Sequence, residues 1–449
     1  MKKNNDKVAI ILIAIIVISF VGLLLYLYID GLFLRIINVK INNYVNEEET
    51  VNIEIKTSSH LSEVMCYISE EETENIYNSP YTTSTNSICS FYNIKVKDYY
   101  IYLKYPNDSE LEKFKLSDFY KDTIDIKASE EKIYLAPNET YKINAEVVAL
   151  DEKEETISYQ SENESIVSVK NNVLTGISAG TTNVDIKTES LSTKLEVIVT
   201  DLISVPTINN ERAFLECHHY SEEEANLLDD IIKTKIENAG YKTRAGVVEA
   251  ARFLTLRFPY RVNYFVETGR LNNYDKIDYV DGEGRYYHQG LYLSESKYQS
   301  LRSTQNGPAM WGCPLAQDNG IVRSNGFDCS GFVTWVLYNG GFDVKDTGAG
   351  FTDRTDDVAD LGEFHYISYD LLKSGQVKPG DLIGSNGHAA IIAGMDNDHV
   401  YIAESLVHNV GVTMLTYTYE ELAASTKFTY IALMDKVYKI DGNYDNVWY

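Results

Sequence analysis

The sequence predicts a multidomain chain: one transmembrane helix, two β-sandwich modules and a C-terminal α+β domain. Three observations predict it. Val8 to Tyr28 is an almost unbroken apolar run, preceded by Lys2, Lys3 and Lys7 and followed by Asp30. Between residues 30 and 201, apolar and polar residues alternate with period two, the pattern of half-buried strands. From residue 202 onward, helical and strand patterns mix. Composition sets the frame. The 449 residues carry 40 Lys and Arg against 66 Asp and Glu, a net charge of −26. Hydrophobic residues make up 44% and aromatics 12%, ample material for folded cores and too much for a disordered chain. The acidic balance argues against nucleic acid as a partner, because a phosphate backbone requires clustered Lys and Arg. It argues equally against binding anionic lipid or wall polymers by charge alone.

The first element is the apolar run. Its 21 residues span about 30 Å as a helix, enough for one bilayer crossing. The lysines place residues 1–7 in the cytoplasm and the bulk of the chain outside the cell. A cleaved signal peptide is the alternative, but it needs a shorter apolar core and a small-residue site behind it. Leu25 to Asp30 offers no such site, so an uncleaved single-pass anchor at 8–28 is expected.

Residues 30–123 form the first β-rich module, with strands expected at 39–41, 51–55, 94–97 and 99–103. Residues 124–201 form the second. Strands are expected at 133–135, 141–147, 166–169, 183–186 and 195–199, with turns at Pro137-Asn138 and Ala179-Gly180. The stretch from Ser161 to Thr181 resembles the bacterial group-two immunoglobulin-like module, with Tyr159 where that module usually carries Trp. The resemblance implies a spacer or cell-surface binding module. Both modules are expected to carry the last domain outward from the membrane.

Residues 202–449 open with a helix, Ala225 to Ala239, behind Ser221-Glu222-Glu223-Glu224 at capping-box spacing, with Gly240 to end it. A second helix is expected from Ala245 to Phe253. Five cysteines are present. Cys66 and Cys89 share the first module and can pair. Cys217 and Cys313 share the last domain and can pair, which leaves Cys329 over. Phe332, Val333, Val336 and Leu337 follow Cys329 at helical spacing, and Gly340-Gly341 ends the run. Cys329 thus stands at a helix N-terminus, where partial positive charge favours a thiolate, the nucleophile of acyl transfer. A base must accompany it. Among eight histidines, His388 has the best setting, after the turn and strand of residues 377–384 and at the start of Ala389 to Gly394.

The two segments resemble the NlpC-type family of bacterial cell-wall cysteine peptidases. The match is to Asp-Cys-Ser-Gly-Phe-Val at 328–333 and to Pro-Gly-Asp-Leu at 379–382 followed by His388, together with the upstream helix 247–251 leading to Pro259-Tyr260. The resemblance implies a papain-like α+β core, Cys329 as nucleophile and His388 as base. It also implies that Tyr260 lines the active site, and that Asp328 and Ser330, beside the nucleophile, contact substrate. The substrate class it implies is the peptidoglycan stem peptide, cleaved at an amide involving a D-amino acid.

Two departures bear on this. The family joins the tyrosine to the cysteine by a short connection, whereas 69 residues separate Tyr260 from Cys329 here. An insertion of about 262–325 is expected to shape the cleft or cover it. Arg285, His288 and Trp311 within it are substrate contacts or packed loop residues. The second departure is the residue that orients the base, often His in the family. A hairpin turning near Asp396-Asn397 brings 404 or 405 opposite 388. Glu404 is favoured because a carboxylate accepts a hydrogen bond from imidazole, and His408 is the reserve. No metal or other cofactor is expected. His218-His219 lacks zinc-helix spacing, and Asp353, Asp356, Asp357 and Asp360 lack a calcium-loop pattern. The expected function is a membrane-anchored, exported peptidoglycan peptidase. The alternatives are an acyltransferase or amidase on the same core, and a non-catalytic surface-binding protein.

Overall fold

The computed structural model describes residues 13–23, 25, 34–59, 62–106, 110–150, 156–208, 222–258, 262, 264, 302–303, 314–316, 322–324, 326–344, 347–349, 357–407 and 411–448. Of the apolar run at 8–28, the described stretch 13–23 is helical with exposed apolar side chains. Among the described residues, no helix is long and apolar enough to cross a membrane. The chain divides into two compact units, residues 1–128, 144–160 and 185–194 against residues 129–143, 161–184 and 195–449.

The first unit contains a β-sandwich. One sheet is Ile36–Val45, Thr50–Thr57 and Ile88–Lys95; the other is Tyr81–Thr83, Met65–Ser69, Tyr100–Lys104 and Glu112–Lys115. Alternation decides the faces. Val51, Ile53 and Ile55 point inward, against Ile68, Ile101 and Leu103 from the other sheet. A disulfide links Cys66 to Cys89, one from each sheet, as the sequence allowed. It closes a loop of 23 residues, worth roughly 3 kcal/mol by chain entropy. This unit also holds the antiparallel pair of Asp125–Ala128 with Ala145–Val148.

The second unit holds the rest of the second module. Thr140–Lys142, Val173–Gly176 and Val167–Lys170 form an antiparallel sheet. Lys132–Leu135 runs parallel to residues 196–199. The strand expected at 141–147 is broken. Ile143 leaves the ladder to donate its N–H to the Asn172 carbonyl, and the Asn172 side chain returns a bond to the Ile143 carbonyl. Nor does the module end in a free linker. Lys132 pairs with Asp230 at 2.7 Å, and Lys235 Nζ donates to the Tyr134 carbonyl. Tyr134, Ala136 and Ile203 belong to the same core as the helices that follow.

That core is an α+β domain. Helices Glu222–Gly240 and Arg244–Arg252 pack against each other, and the latter packs on helix Cys329–Asn339. Gly340 ends the last helix where any Cβ would stand 2.4 Å from Val247 Cγ2, so the close approach of the two helices requires glycine. Behind them lies a six-stranded antiparallel sheet in the order Glu363–Tyr366, Tyr430–Leu433, Leu382–Ser385, His388–Met395, His399–Leu406, Gly411–Thr418. Ala389, Ile391 and Ala393 face the helices, while Ala390 and Ile392 face a second core with Leu372, Leu422 and Phe428. Every residue from Cys329 to Leu337 is buried, because the helix packs against Arg244–Arg252 on one side and the strand His388–Met395 on the other. Three short strands, Arg302–Ser303, Pro314–Ala316 and Val322–Ser324, form a small sheet within the expected insertion.

Candidate active site

Asp328 starts the cysteine helix. Its φ and ψ are extended, and its carboxylate Oδ1 accepts the Gly331 N–H at 2.6 Å, satisfying a donor that the first turn leaves unpaired. Cys329 is therefore the first helical residue, 5% exposed, with its backbone N–H among the unpaired donors of the helix start. Its sulfur lies 4.0 Å from the Gly387 carbonyl, the residue just before His388.

Asp328 and Ser330 were expected to touch substrate. Both are buried, and the structure gives them other work. Asp328 caps the helix. Ser330 Oγ turns back toward the Asp328 carboxylate at 3.4 Å, and its carbonyl accepts the Thr334 hydroxyl. Both side chains are buried at the helix start. Tyr260, Cys217, Cys313, Arg285, His288, Trp311, His218, His219, Asp353, Asp356 and His408 lie outside the described residues, as does Ser221 of the expected capping box.

His388 stands on a hairpin. Leu382–Ser385 and His388–Met395 pair with Ser385 opposite His388, joined by Asn386-Gly387. The preceding Pro379-Gly380-Asp381-Leu382 motif is an anchor. Asp381 is fully buried and accepts from Arg244 Nη1 at 2.7 Å, the Met434 N–H at 2.9 Å and the Lys378 N–H at 2.9 Å. Arg244, itself fully buried, also reaches the Pro379 carbonyl, Asp435 and Asp441. Gly380 has φ +93°, and a Cβ there would meet Arg244 Cγ at 2.9 Å, so both backbone and space demand glycine.

Glu404 comes next to His388 through a defect in the ladder. At the hairpin end, Met395 pairs with Val400 and Gly394 with Tyr401, but Ile392 pairs with Ile402 and Ile391 with Ala403. Ala393 is the extra residue of a β-bulge. Continued without the bulge, the first register would set Glu404 opposite Ile391, on the face away from His388. Shifted by one, it sets Glu404 opposite Ala390, on the His388 face, because a one-residue slip flips every side chain. Neither 404 nor 405 stands directly opposite 388, as the sequence reading had it. Glu404 reaches it diagonally, from two positions along. Ser405 turns to the other face and donates to the Phe327 carbonyl at 2.8 Å, tying this strand to the segment before Cys329.

The result is a connected set. His388 Nε2 meets Glu404 Oε2 at 2.5 Å, and Cys329 lies near enough to act on the charge of the ring. Burial works against a charged imidazole, but the influence of Cys329 and Glu404 outweighs it and pushes the His388 pKa up to about 9. The Phe428 ring packs 5.7 Å from the His388 ring. Lys427, which the sequence did not single out, donates from Nζ to Glu404 Oε1 at 2.6 Å. Chemically the set is a thiol at a helix start, an imidazole close by, and a buried carboxylate fixing the imidazole. That is the constellation for nucleophilic attack on a carbonyl carbon. Among the described residues, no group of three or more metal-ligating side chains converges.

No family model matches the sequence, and no curated protein matches it. Solved structures do match. Domains 4 and 5 of the S-layer protein SbsC align at 16% identity over 24% of this chain and 68% of that one, with a TM-score of 0.16. Drosophila OTK extracellular domains 3–5 align at 11% identity over 37% of this chain and 62% of theirs, with a TM-score of 0.22. The fibronectin(III)-like modules of Clostridium thermocellum CbhA align at 13% identity over 36% and 94%, with a TM-score of 0.16. The chain spans 29% of a longer SbsC structure, domains 1–6. At these scores the similarities carry no argument about function.

Proposed function

We propose that the last domain is a papain-like cysteine peptidase that hydrolyses peptidoglycan stem peptides at a D-amino-acid-containing amide. The observation that carries the reading is the His388 ring, fixed by the buried Glu404 carboxylate at 2.5 Å, with the Cys329 sulfur at a helix start 4.0 Å from the carbonyl of the preceding Gly387. Cys329 gives its thiol proton to His388, and its sulfur attacks the scissile carbonyl. His388 delivers its proton to the leaving amine, then takes one from water as the acyl-enzyme is hydrolysed. Glu404 holds the ring and stabilises its charged form. The Cys329 backbone N–H, at the helix start, is a donor for the developing oxyanion. The peptide substrate and the D-residue come from the sequence resemblance.

The catalytic unit works outside the cell, tethered by the apolar run at 8–28. The Cys66–Cys89 disulfide supports an oxidising compartment. The test is incubation of the full chain with purified peptidoglycan and mass spectrometry of the products. The reading expects new amine and carboxylate ends at one stem-peptide bond, absent with Cys329→Ala. Transfer of an acyl group without such ends would replace it with the acyltransferase reading. Wall binding without any covalent product would replace it with a non-catalytic one.

A further inference from the structure

We propose that Lys427 is a positioning residue of the same reaction: its ammonium holds Glu404 as a carboxylate while His388 is without its proton. The inference rests on the peptidase reading above. Glu404 is fully buried, and its two oxygens go to two different cations. Oε2 is on His388 and Oε1 on Lys427, at 2.5 and 2.6 Å. Among the described residues, these are its two ion-pair partners.

The need for the second cation follows from the proton balance. In acylation the S–C bond forms, the amide C–N bond breaks, and the His388 proton leaves with the amine. The imidazole is then neutral, and Glu404 has lost that counter-charge. A lone buried carboxylate is costly and would draw a proton back to the pair. In deacylation the neutral ring must take a proton from water while the S–C bond breaks and the thiolate returns. Lys427 supplies positive charge to Glu404 throughout, so the ring is free to lose and regain its proton.

The placement suits this task. Lys427 lies in the segment before strand Tyr430–Leu433, with its backbone N–H on Ser425 Oγ. Its ammonium lies 5.1 Å from the centre of the Phe428 ring, which itself packs on His388. The other titratable groups around the site are Cys329 on the helix, Tyr417 on strand Gly411–Thr418, Tyr430 on the neighbouring strand and Asp357 beyond it. Burial raises both tyrosines out of the working range, and the nearby Glu404 charge adds to this at Tyr417. Lys427 is thus the cation left to balance Glu404 when the imidazole is neutral.

The experiment is an NMR titration of the full chain labelled with 15N-histidine. The His388 signal is identified by its absence in His388→Gln. Removing a positive charge this close should let the pair keep its proton to higher pH, so Lys427→Met should raise the His388 midpoint by about one unit or more. Lys427→Gln, a second neutral variant, should do the same, and Lys427→Arg should restore the wild-type midpoint. On purified peptidoglycan, the neutral variants should lower kcat far more than they raise KM. An unmoved midpoint in a folded neutral variant overturns the inference even if wild type is a peptidase. A raised midpoint in a chain that cleaves no stem peptide keeps the electrostatic role and removes the peptidase reading instead.

Discussion

Two fully buried carboxylates, Asp381 and Glu404, sit on the same six-stranded domain, and their surroundings differ in one respect. Asp381 is held by Arg244 and by two backbone N–H groups. None of those donors gives up a proton at any working pH. Glu404 is held by His388 and Lys427, and the His388 imidazole can give up its proton. The first arrangement pins a turn, a helix start and a strand together. The second keeps a proton in play beside a thiol. Burial and charge alone do not mark a reactive site; a titratable partner within reach of a nucleophile does.

The sharpest way to break the comparison is to remove the nucleophile. Cys329→Ala should lower stem-peptide turnover on the order of 10⁴-fold or more, because members of such a set act as a unit. Its circular dichroism spectrum should be unchanged, since Asp328 still caps the helix. Wild-type release of muropeptides by this variant would leave the Glu404 cluster without its reaction.

The Asp381 cluster should fail in the opposite way. Arg244→Met leaves Asp381 as a buried charge without its cation, which costs about 3–5 kcal/mol. Denaturant titration would read this as a fall in midpoint, with turnover per folded molecule retained. A loss below about 1 kcal/mol would show that the network contributes far less than a buried pair normally does.

Glu404 lies between these extremes. Glu404→Ala should cost on the order of 10²-fold in turnover, and Glu404→Gln less, because the amide still accepts a bond from the ring. Turnover of the Ala variant within twofold of wild type would assign Glu404 to structure, alongside Asp381.

The sequence made one carboxylate cluster legible and hid the other. Cys329 and His388 stand in local motifs, and Glu404 follows from hairpin arithmetic. The choice between 404 and 405 turned on the bulge at Ala393, and an extra residue in a strand has no reliable single-residue signature. Lys427 was out of reach because it meets Glu404 across 23 residues of intervening chain. A lysine immediately before the buried Phe428 was the available hint. Asp328 was singled out for its place beside Cys329, and the part it plays as helix cap follows from the first-turn N–H groups that a helix start leaves open. The alternating strands of the first module were legible by period two. Short strands such as Glu112–Lys115, and the interruption at Ile143, depend on partners distant in sequence.

The smallest effect tests the comparison by pH. Folding raises the His388 pKa from 6.5 to about 9. Below about 6.5 both folded and unfolded chains hold this proton, and the stabilisation is fully present. Between 6.5 and 9 the unfolded chain releases it first, so stability falls as pH rises, and above 9 the contribution is gone. The Arg244 cluster carries no such slope, because arginine stays protonated throughout. Lys235 works with the opposite sign. Burial, with the Arg257 charge nearby, pushes it down from 10.5 to about 8, so it adds stability as pH rises from 8 to 10.5. Melting temperatures of wild type and His388→Gln, measured across pH 6 to 10 and subtracted, cancel the lysine. The difference should be largest at pH 6 and shrink steadily toward pH 9. Arg244→Met, treated the same way, should differ from wild type by a constant amount. A flat His388→Gln difference would mean that His388 gains nothing from Glu404 and Cys329, and the distinction between the two carboxylates would fall.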